Sequence, residues 1–318
     1  MFAAILGALF MAGVMTNDKL FLNAGDNSVL SNPMQMLVIS SFIPAIALVW
    51  TISGELPSIP LCYMIGAFIA GTLWTVSNAA YFKVTQMTDD FDEVTTWDAS
   101  NPVFMALIGI PFGITLTPRY WAGILVVACS LLALRYAFKG RAYVKNMKLY
   151  YGLLIVHVAA LTGAMFWFDL LIKSLGQANY ASLYIPYLAG QTVGFITLFS
   201  KTVRQDFIAD APKIKKLWWA LVAGEAMYVA SLSCLTWAMK GYPGAVVMAL
   251  GGSYPFMIFM VGPFIRRSKL FWRFGDMEVA FPPQEGAGWK KAGVLIMNIG
   301  GLGMLAPQTA PKPGRSGT

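Results

Sequence analysis

Residues 238–264 form the stretch that most limits how this chain can fold. The stretch is largely apolar and longer than the roughly 20 residues that cross a bilayer, yet it contains eight helix-breaking residues, which are Gly241, Pro243, Gly244, Gly251, Gly252, Pro255, Gly262 and Pro263. A water-soluble helix does not tolerate so many breakers. A membrane helix does, because neighbouring helices and local waters satisfy the backbone groups that the breaks release.

The composition points to the same class of protein. Apolar residues make up 57% of the 318 residues and charged residues only 12%, and the mean hydropathy is +0.62. These values exclude a soluble globular protein and indicate a multi-pass integral membrane protein. The net charge of +8 comes from basic residues between apolar runs, where they anchor loops at the lipid surface. We therefore expect the lipid bilayer as a partner and no nucleic acid.

Apolar runs long enough to cross a bilayer, about 20 residues each, occur ten times along the chain. They cover residues 2–21, 33–53, 59–82, 95–115, 119–138, 149–173, 180–200, 216–239, 243–266 and 288–307. The segment SYPFM at 253–257 matches SNPVF at 100–104, about half a chain earlier. The chain therefore looks like one membrane unit written twice, over residues 1–140 and 141–307. Residues 308–318 are polar and proline-rich and are predicted to form a disordered tail.

The basic residues are distributed unequally between the two sides of the predicted membrane. Most of the 23 lysines and arginines lie in or beside the loops that follow odd-numbered spans. By the positive-inside rule these loops face the cytoplasm, so both termini face away from it.

The second half of the chain resembles the EamA-type repeat of the drug/metabolite transporter superfamily. The resemblance rests on AMKGY at 238–242, the run to Pro255, and the glycine-rich closing helix Gly293–Gly303. In the first half, Pro102 and the helix at 121–134 keep the pattern, whereas an acidic insertion at 89–93 departs from it. The resemblance implies an all-α membrane protein with ten transmembrane helices in two inverted five-helix repeats around a central cavity. It also implies cytoplasmic termini, opposite to the charge distribution.

Glu225 is the sharpest candidate for a functional residue, because it lies near the middle of the eighth predicted span. An ionisable group inside a membrane is costly and marks a functional site by default. Glu225 is therefore predicted to face the cavity and to bind a proton or a cationic group. The alternative is a protonated or hydrogen-bonded glutamate with a structural role between helices.

Asp98, Asn101 and His157 are three further polar residues in predicted spans. Asp98 and Asn101 lie three residues apart and share a helix face. The fourth helix of the resembled family lines the central cavity, so the resemblance implies that both residues contact substrate in that cavity. Asp98 is equally compatible with a cap at the helix start. His157 is a candidate proton relay, although a lone histidine in an apolar segment is more often a satisfied core residue. Glu225, Asp98 and His157 are the candidates for proton coupling.

Two acids near span ends have simpler explanations. Asp169 lies four residues before Lys173, the spacing of an ion pair along a helix. Asp18 lies beside Lys19 at the edge of the first span and is a borderline candidate.

Four uncharged residues complete the predicted substrate site. Trp74 and Asn78 are spaced four apart in the third span and form a candidate pocket pair, and Tyr228 and Ser253 are expected to shape the same pocket. Aromatic rings at these positions would cage an apolar or cationic substrate, although interfacial belts and ordinary packing also account for aromatic residues in spans.

These features predict a secondary transporter that moves a small organic metabolite by alternating access. The chain has no nucleotide-binding GxxxxGK[ST] pattern, so we do not expect an ATP-driven pump. It also has no Gly-x-Ser-x-Gly elbow and no paired-histidine signature. We therefore expect no enzyme activity, no cofactor and no metal. Predicted spans 8 and 9 lack an interior lysine–arginine pair, which favours a neutral or amine-bearing substrate, moved with protons or by exchange. The alternative is a membrane enzyme that acts on a lipid or isoprenoid through the acidic run at 89–98. A homodimer is compatible with the sequence.

Overall fold

The computed structural model of the protein describes residues 1–22, 29–88, 97–137, 146–257, 273–274, 277–278 and 288–306. Almost all of these residues are helical. The α-helices are α1 Phe2–Phe21, α2 Pro33–Ile39, α3 Phe42–Ser53, α4 Leu61–Met87, α5 Asn101–Gly109, α6 Pro118–Ala137, α7 Met147–Leu175, α8 Tyr180–Gly190, α9 Lys201–Ala238, α10 Gly244–Gly251 and α11 Gly288–Leu305. Short 3-10 helices cover Asp98–Ser100, Ile110–Phe112, Gln177–Asn179 and Gln191–Phe199. The strands Arg273–Phe274 (β1) and Met277–Glu278 (β2) form one short antiparallel pair.

Among the described residues, four helical segments are long and apolar enough to cross a membrane: Pro33–Ser53, Leu61–Met87, Met147–Leu175 and Lys201–Ala238. Five more apolar helices are shorter, namely Phe2–Asp18, Asn101–Phe112, Pro118–Ala133, Gly244–Met257 and Ala292–Leu305. The predicted all-α class is therefore confirmed, whereas ten membrane crossings are not. The predicted boundary at 140/141, the acidic run at 89–93 and the tail at 308–318 lie outside the described residues.

Two of the predicted spans are broken near their centres. The span at 33–53 begins with a capping box, in which the Asn32 side chain accepts from the Met34 backbone N–H and the Gln35 side chain accepts from the Asn32 backbone N–H. This span breaks at Ser40 and Ser41, between α2 and α3. The span at 180–200 changes from α-helix to 3-10 helix at Gln191. The two breaks meet, since the Ser41 hydroxyl donates to the Gln191 carbonyl oxygen over 3.0 Å.

The helices pack in pairs that repeat between the two halves of the chain. α1 packs along α9, and α7 packs along α4. α1 also contacts α10, as α7 contacts α5, and α6 packs along α11. Two groups of helices result, α1 with α9 and α10 on one side and α4 with α5 and α7 on the other, and the groups meet where α10 packs on α5.

Two glycines allow α4 and α8 to approach closely. A Cβ atom at Gly71 would lie 1.9 Å from the Tyr187 carbonyl oxygen, and one at Gly190 would lie 2.1 Å from the Phe68 carbonyl oxygen. Both distances are far below van der Waals contact, so any larger residue would force the backbones apart. Small residues at helix crossings are the usual means of close packing between membrane helices.

Large apolar side chains cover much of the outside of the helices. Phe2, Ile46, Ile52, Ile155 and Phe199 are among the exposed ones. In water such a surface would be an aggregation hazard, whereas in a bilayer it contacts lipid. The ionisable side chains Asp18, Asp98, His157 and Glu225 are instead buried between the helices.

Candidate functional site

A cavity with a polar lining lies between the two groups of helices. Its volume is about 70 Å³, room for about five water molecules or a small organic group. Residues from α1, α4, the 3-10 turn at Asp98, α5, α7, α9 and α10 line it. The polar and aromatic lining residues are Asp18, Ser40, Trp74, Ser77, Asn78, Tyr81, Phe82, Asp98, Asn101, His157, Glu225, Tyr228 and Tyr254.

The structure brings most of the sequence-predicted site residues to this cavity. Those that line it are Glu225, Asp98, Asn101, Trp74, Asn78, Tyr228 and His157. Ser253 differs from the expectation. It is buried, but its hydroxyl donates to the Leu250 carbonyl oxygen over 2.6 Å, and its neighbours Gly252 and Tyr254 line the cavity instead.

Asp98 is at the centre of a hydrogen-bonded network of buried side chains. Its Oδ1 lies 2.7 Å from His157 Nε2, and its Oδ2 accepts a 2.6 Å hydrogen bond from the Tyr254 hydroxyl. Both carboxyl oxygens are therefore engaged. A buried carboxylate needs such partners, because an unpaired charge in the membrane interior is strongly unfavourable. Asp98 thus lines the cavity with both carboxyl oxygens already hydrogen-bonded by other side chains.

The other ring nitrogen of His157 contacts Ser77 on α4. Nδ1 lies 2.8 Å from the Ser77 hydroxyl and 3.1 Å from the Ser77 carbonyl oxygen, and the hydroxyl lies 3.1 Å from the His157 carbonyl oxygen. Two arrangements fit these distances. A neutral ring accepts at Nδ1 from the Ser77 hydroxyl; a charged ring donates from Nδ1 to Ser77 while that hydroxyl donates to the His157 carbonyl. The site can thus hold His157 in either protonation state.

Ser77, His157 and Asp98 match the residue types of a hydrolase triad, but they do not present a nucleophile. Ser77 has no exposed surface, lies inside the continuous helix α4, and has an alternative acceptor in the His157 backbone. A catalytic serine needs access to substrate and backbone donors for the developing oxyanion. The network is therefore better described as a set of fixed partners for one titratable ring.

Asn101 and the aromatic pair Trp74–Tyr228 form another part of the lining. Thr162 donates to Asn101 Oδ1 over 2.9 Å, and Asn101 Nδ2 has no partner among the described residues. The Trp74 and Tyr228 rings lie 6.1 Å apart at 45°. The Tyr228 hydroxyl donates to Gln191 Oε1 over 3.0 Å, whereas Trp74 Nε1 lacks an acceptor within the described part of the chain. Two buried donors are thus available to a ligand.

Asp18 and Glu225 form a second acidic group in the lining of the cavity. Asp18 is 4% exposed and Glu225 7% exposed, and the Asp18 carboxyl group acts electrostatically on Glu225. Glu225 Oε2 has no hydrogen-bond partner among the described residues. α1 and α9 come close here, since a Cβ atom at Gly224 would lie 2.1 Å from Asn17 Nδ2.

Asp169 lies elsewhere, as its spacing predicts. Its Oδ2 is 2.5 Å from Lys173 Nζ and accepts a 3.2 Å hydrogen bond from the Gly244 backbone N–H at the start of α10. Asp169 thus forms the ion pair along the helix and links α7 to α10.

Sequence reasoning placed Asp18 only at a span edge, did not select Ser77, and gave Tyr254 only as one of several aromatic residues near spans that should line a cavity. Asp18 lies one turn before the end of the predicted span 2–21, beside Lys19, and that span coincides with α1 Phe2–Phe21. Tyr254 had one signal, the SYPFM repeat element, but that element does not reveal which of its side chains points inward. No group of three or more potential metal ligands occurs among the described residues.

Comparison with known proteins gives information about the fold only. No protein-family model matches the chain, and no curated protein matches it. A solved structure, named only "Crystal structure of protein", is similar over 95% of this chain and 93% of that chain, with a TM-score of 0.56 and 14% sequence identity. At that identity the likeness shows that the two chains share a fold and nothing about activity.

Proposed function

We propose that this protein is a secondary transporter that carries a small organic metabolite, neutral or amine-bearing, across a membrane by alternating access. One observation carries the proposal, namely the buried cavity between two groups of membrane-type helices, which is lined by four ionisable side chains. Such residues are rare in membrane interiors and mark substrate or ion pathways. In transporters built from repeats, the site lies near the midplane where the repeats meet.

The internal pairing of helices supports two related halves with ten crossings, as in the drug/metabolite transporter superfamily. If the first five spans correspond to the last five, α1 corresponds to α7 and α4 to α9. Contact of α1 with α9 then has its counterpart in contact of α7 with α4. The two central breaks, at Ser41 and Gln191, also fall in corresponding spans. Broken helices at equivalent positions of two repeats are a feature of transporter sites.

The same contacts favour particular moving parts. Because α1 packs on α9 and α7 packs on α4, each half of the sequence contributes its first helix to the other half. The units that would rock against each other are therefore α1 with α9 and α10, and α4 with α5 and α7. The cavity lies between these two groups, where relative movement would open it to one side of the membrane and then to the other.

Transport by purified protein in liposomes is the direct test. A thermal-shift screen of amino acids, amines, nucleosides and sugars selects the compound, and its labelled form is then followed by counterflow and under an imposed pH gradient. We expect Glu225→Gln to abolish or strongly reduce transport or its pH dependence. Asp206→Asn, an acid on α9 that does not line the cavity and whose one hydrogen bond, from Asn32, an amide can also accept, is the matched control and should retain both. Unchanged transport by Glu225→Gln would remove Glu225 from the mechanism, and no flux of any selected compound would contradict the proposal.

The enzyme alternative has a separate test. It relies on the acidic run at 89–98, of which only Asp98 lies among the described residues, and both oxygens of Asp98 are engaged by His157 and Tyr254. Metal-dependent turnover of a lipid or isoprenoid that is lost in Asp89→Asn would favour the enzyme over the transporter.

A further inference from the structure

The acidic groups of the cavity fall into two sets with different surroundings. Asp98 has a hydrogen-bond partner at each oxygen, His157 and Tyr254, and lies against the α4, α5 and α7 group. Asp18 and Glu225 lie on α1 and α9, and the ion pairs found within the described residues involve other acids. Among the described residues that line the cavity there is no lysine or arginine. Within the described part of the chain, the second set thus has no protein cation beside it.

Two neighbouring carboxylates without a cation cannot both remain charged in a buried site, because desolvation and mutual repulsion oppose ionisation. The pair must hold a proton or another cation. Glu225 Oε2, buried and without a hydrogen-bond partner among the described residues, is an acceptor that a bound donor would satisfy. The residues around it determine which kind of donor fits.

The remaining walls suit an organic cation. Trp74 and Tyr228 line the same cavity with their rings 6.1 Å apart, and aromatic faces attract cationic groups. The volume of about 70 Å³ admits a small alkyl group as well as the charged head. The unpartnered donors Trp74 Nε1 and Asn101 Nδ2 are available to an acceptor on the same molecule.

We propose that Asp18 and Glu225 together form an ammonium-binding pair, which takes the protonated amine of the cargo in exchange for the proton that the empty pair holds. No covalent bond changes in this step: the alkylammonium keeps its own protons, and the displaced proton leaves to water. The assignment rests on the proposed transport function for its biological sense, but binding can be measured without transport.

The first test uses the unmodified full-length protein in detergent and butylammonium chloride as the probe, with 1-butanol as its uncharged counterpart. Isothermal titration in buffers of different ionisation enthalpy measures affinity and proton release together. We expect butylammonium to bind with release of about one proton per ligand, with weaker affinity at lower pH because protonation of the acids competes. Butanol should show no comparable binding. Butylammonium binding without proton release, or equal binding of butanol, would overturn the proposal.

The second test uses variants. Glu225→Gln and Asp18→Asn should each weaken butylammonium binding about ten- to hundredfold, the range for loss of a hydrogen bond to a charged group, and should reduce proton release. Asp169→Asn should bind like the unmodified protein, which controls for loss of a buried acid in general. If a cavity variant does not fold, the comparison of butylammonium with butanol on the unmodified protein still decides the proposal.

The pH response needs a further discrimination, because Tyr81, Asp98, His157, Tyr228 and Tyr254 also face the cavity. Proton release that disappears in His157→Gln while Glu225→Gln retains it would assign the exchange to the Asp98–His157 pair and overturn the proposal. Transport of some compound without butylammonium binding would refute the amine site and leave the proposed transport function standing. Butylammonium binding without transport of any compound would refute the transport function and leave the amine site standing.

Discussion

Replacement of Gly190 by alanine tests the close packing of α8 on α4. The added Cβ atom would lie 2.1 Å from the Phe68 carbonyl oxygen and 2.9 Å from the Thr72 backbone nitrogen. Because both atoms belong to the backbone of α4, neither can rotate away, and the two helices must separate by about 1 Å. Overpacking of this kind costs about 3 kcal/mol at the upper end of its usual range, and alanine regains about 1 kcal/mol of helix propensity. The net loss of stability should be about 2 kcal/mol.

Gly163→Ala is the matched control for Gly190→Ala. Gly163 lies inside α7, which also packs on α4, but an added Cβ atom there would meet only Leu73 Cδ1, at 3.7 Å. This variant should be stabilised by about 0.5–1 kcal/mol through helix propensity. The measurement is the denaturant midpoint in detergent, with the half-life of the monodisperse species as a second measure if unfolding is irreversible. Equal stability of Gly190→Ala and the unmodified protein would refute the helix crossing described here.

Two further predictions concern hydrogen bonds of carboxylates. Tyr254→Phe removes the hydroxyl that donates to Asp98 and should lower the free energy of unfolding by about 1.5–3 kcal/mol. Tyr184→Phe loses a hydrogen bond with the neutral Ser233 hydroxyl and should lower it by about 1 kcal/mol. Equal losses in chemical denaturation would contradict the central role of Asp98. Asp210→Ala removes the acceptor of the Ser31 backbone N–H and hydroxyl and should speed amide hydrogen exchange at the start of α2. Asp206→Ala loses one hydrogen bond from Asn32 and should speed that exchange less. Unchanged exchange in Asp210→Ala would show that the contact between Asp210 and Ser31 does not hold this segment in place.

Hydropathy predicted where apolar helices lie better than where they end or bend. The predicted spans 33–53 and 149–173 nearly coincide with the segments Pro33–Ser53 and Met147–Leu175. The span predicted to begin at 216 in fact belongs to a helix that starts at Lys201, because a helix continues through polar residues that hydropathy excludes. The change to 3-10 geometry at Gln191 was also missed, since it depends on contacts with Ser41 and Thr75 that lie far away in the sequence.

The site was predictable where a charge interrupts a long apolar run. Glu225, Asp98 and His157 stand out for that reason, because a buried charge in a membrane needs a cause. Pairing was not predictable, since the contact of Asp98 with His157 joins residues from different halves. Ser253 was selected in place of Tyr254 because adjacent residues on a helix point about 100° apart, and the sequence does not fix the rotation of a helix about its own axis.

The two acidic sets are separated in a way that suits a protein whose halves move. Asp98, Ser77 and His157 all belong to the group of α4, α5 and α7, so their network can stay intact if that group moves as one body. Asp18 and Glu225 both belong to the other group. Tyr254, just beyond α10, donates to Asp98, so separation of the two groups on that side would break this bond. Because one ammonium replaces one proton at Asp18 and Glu225, the net charge of that pair stays the same, and uptake of the cargo would act on the Tyr254 bond through the space that the ligand fills.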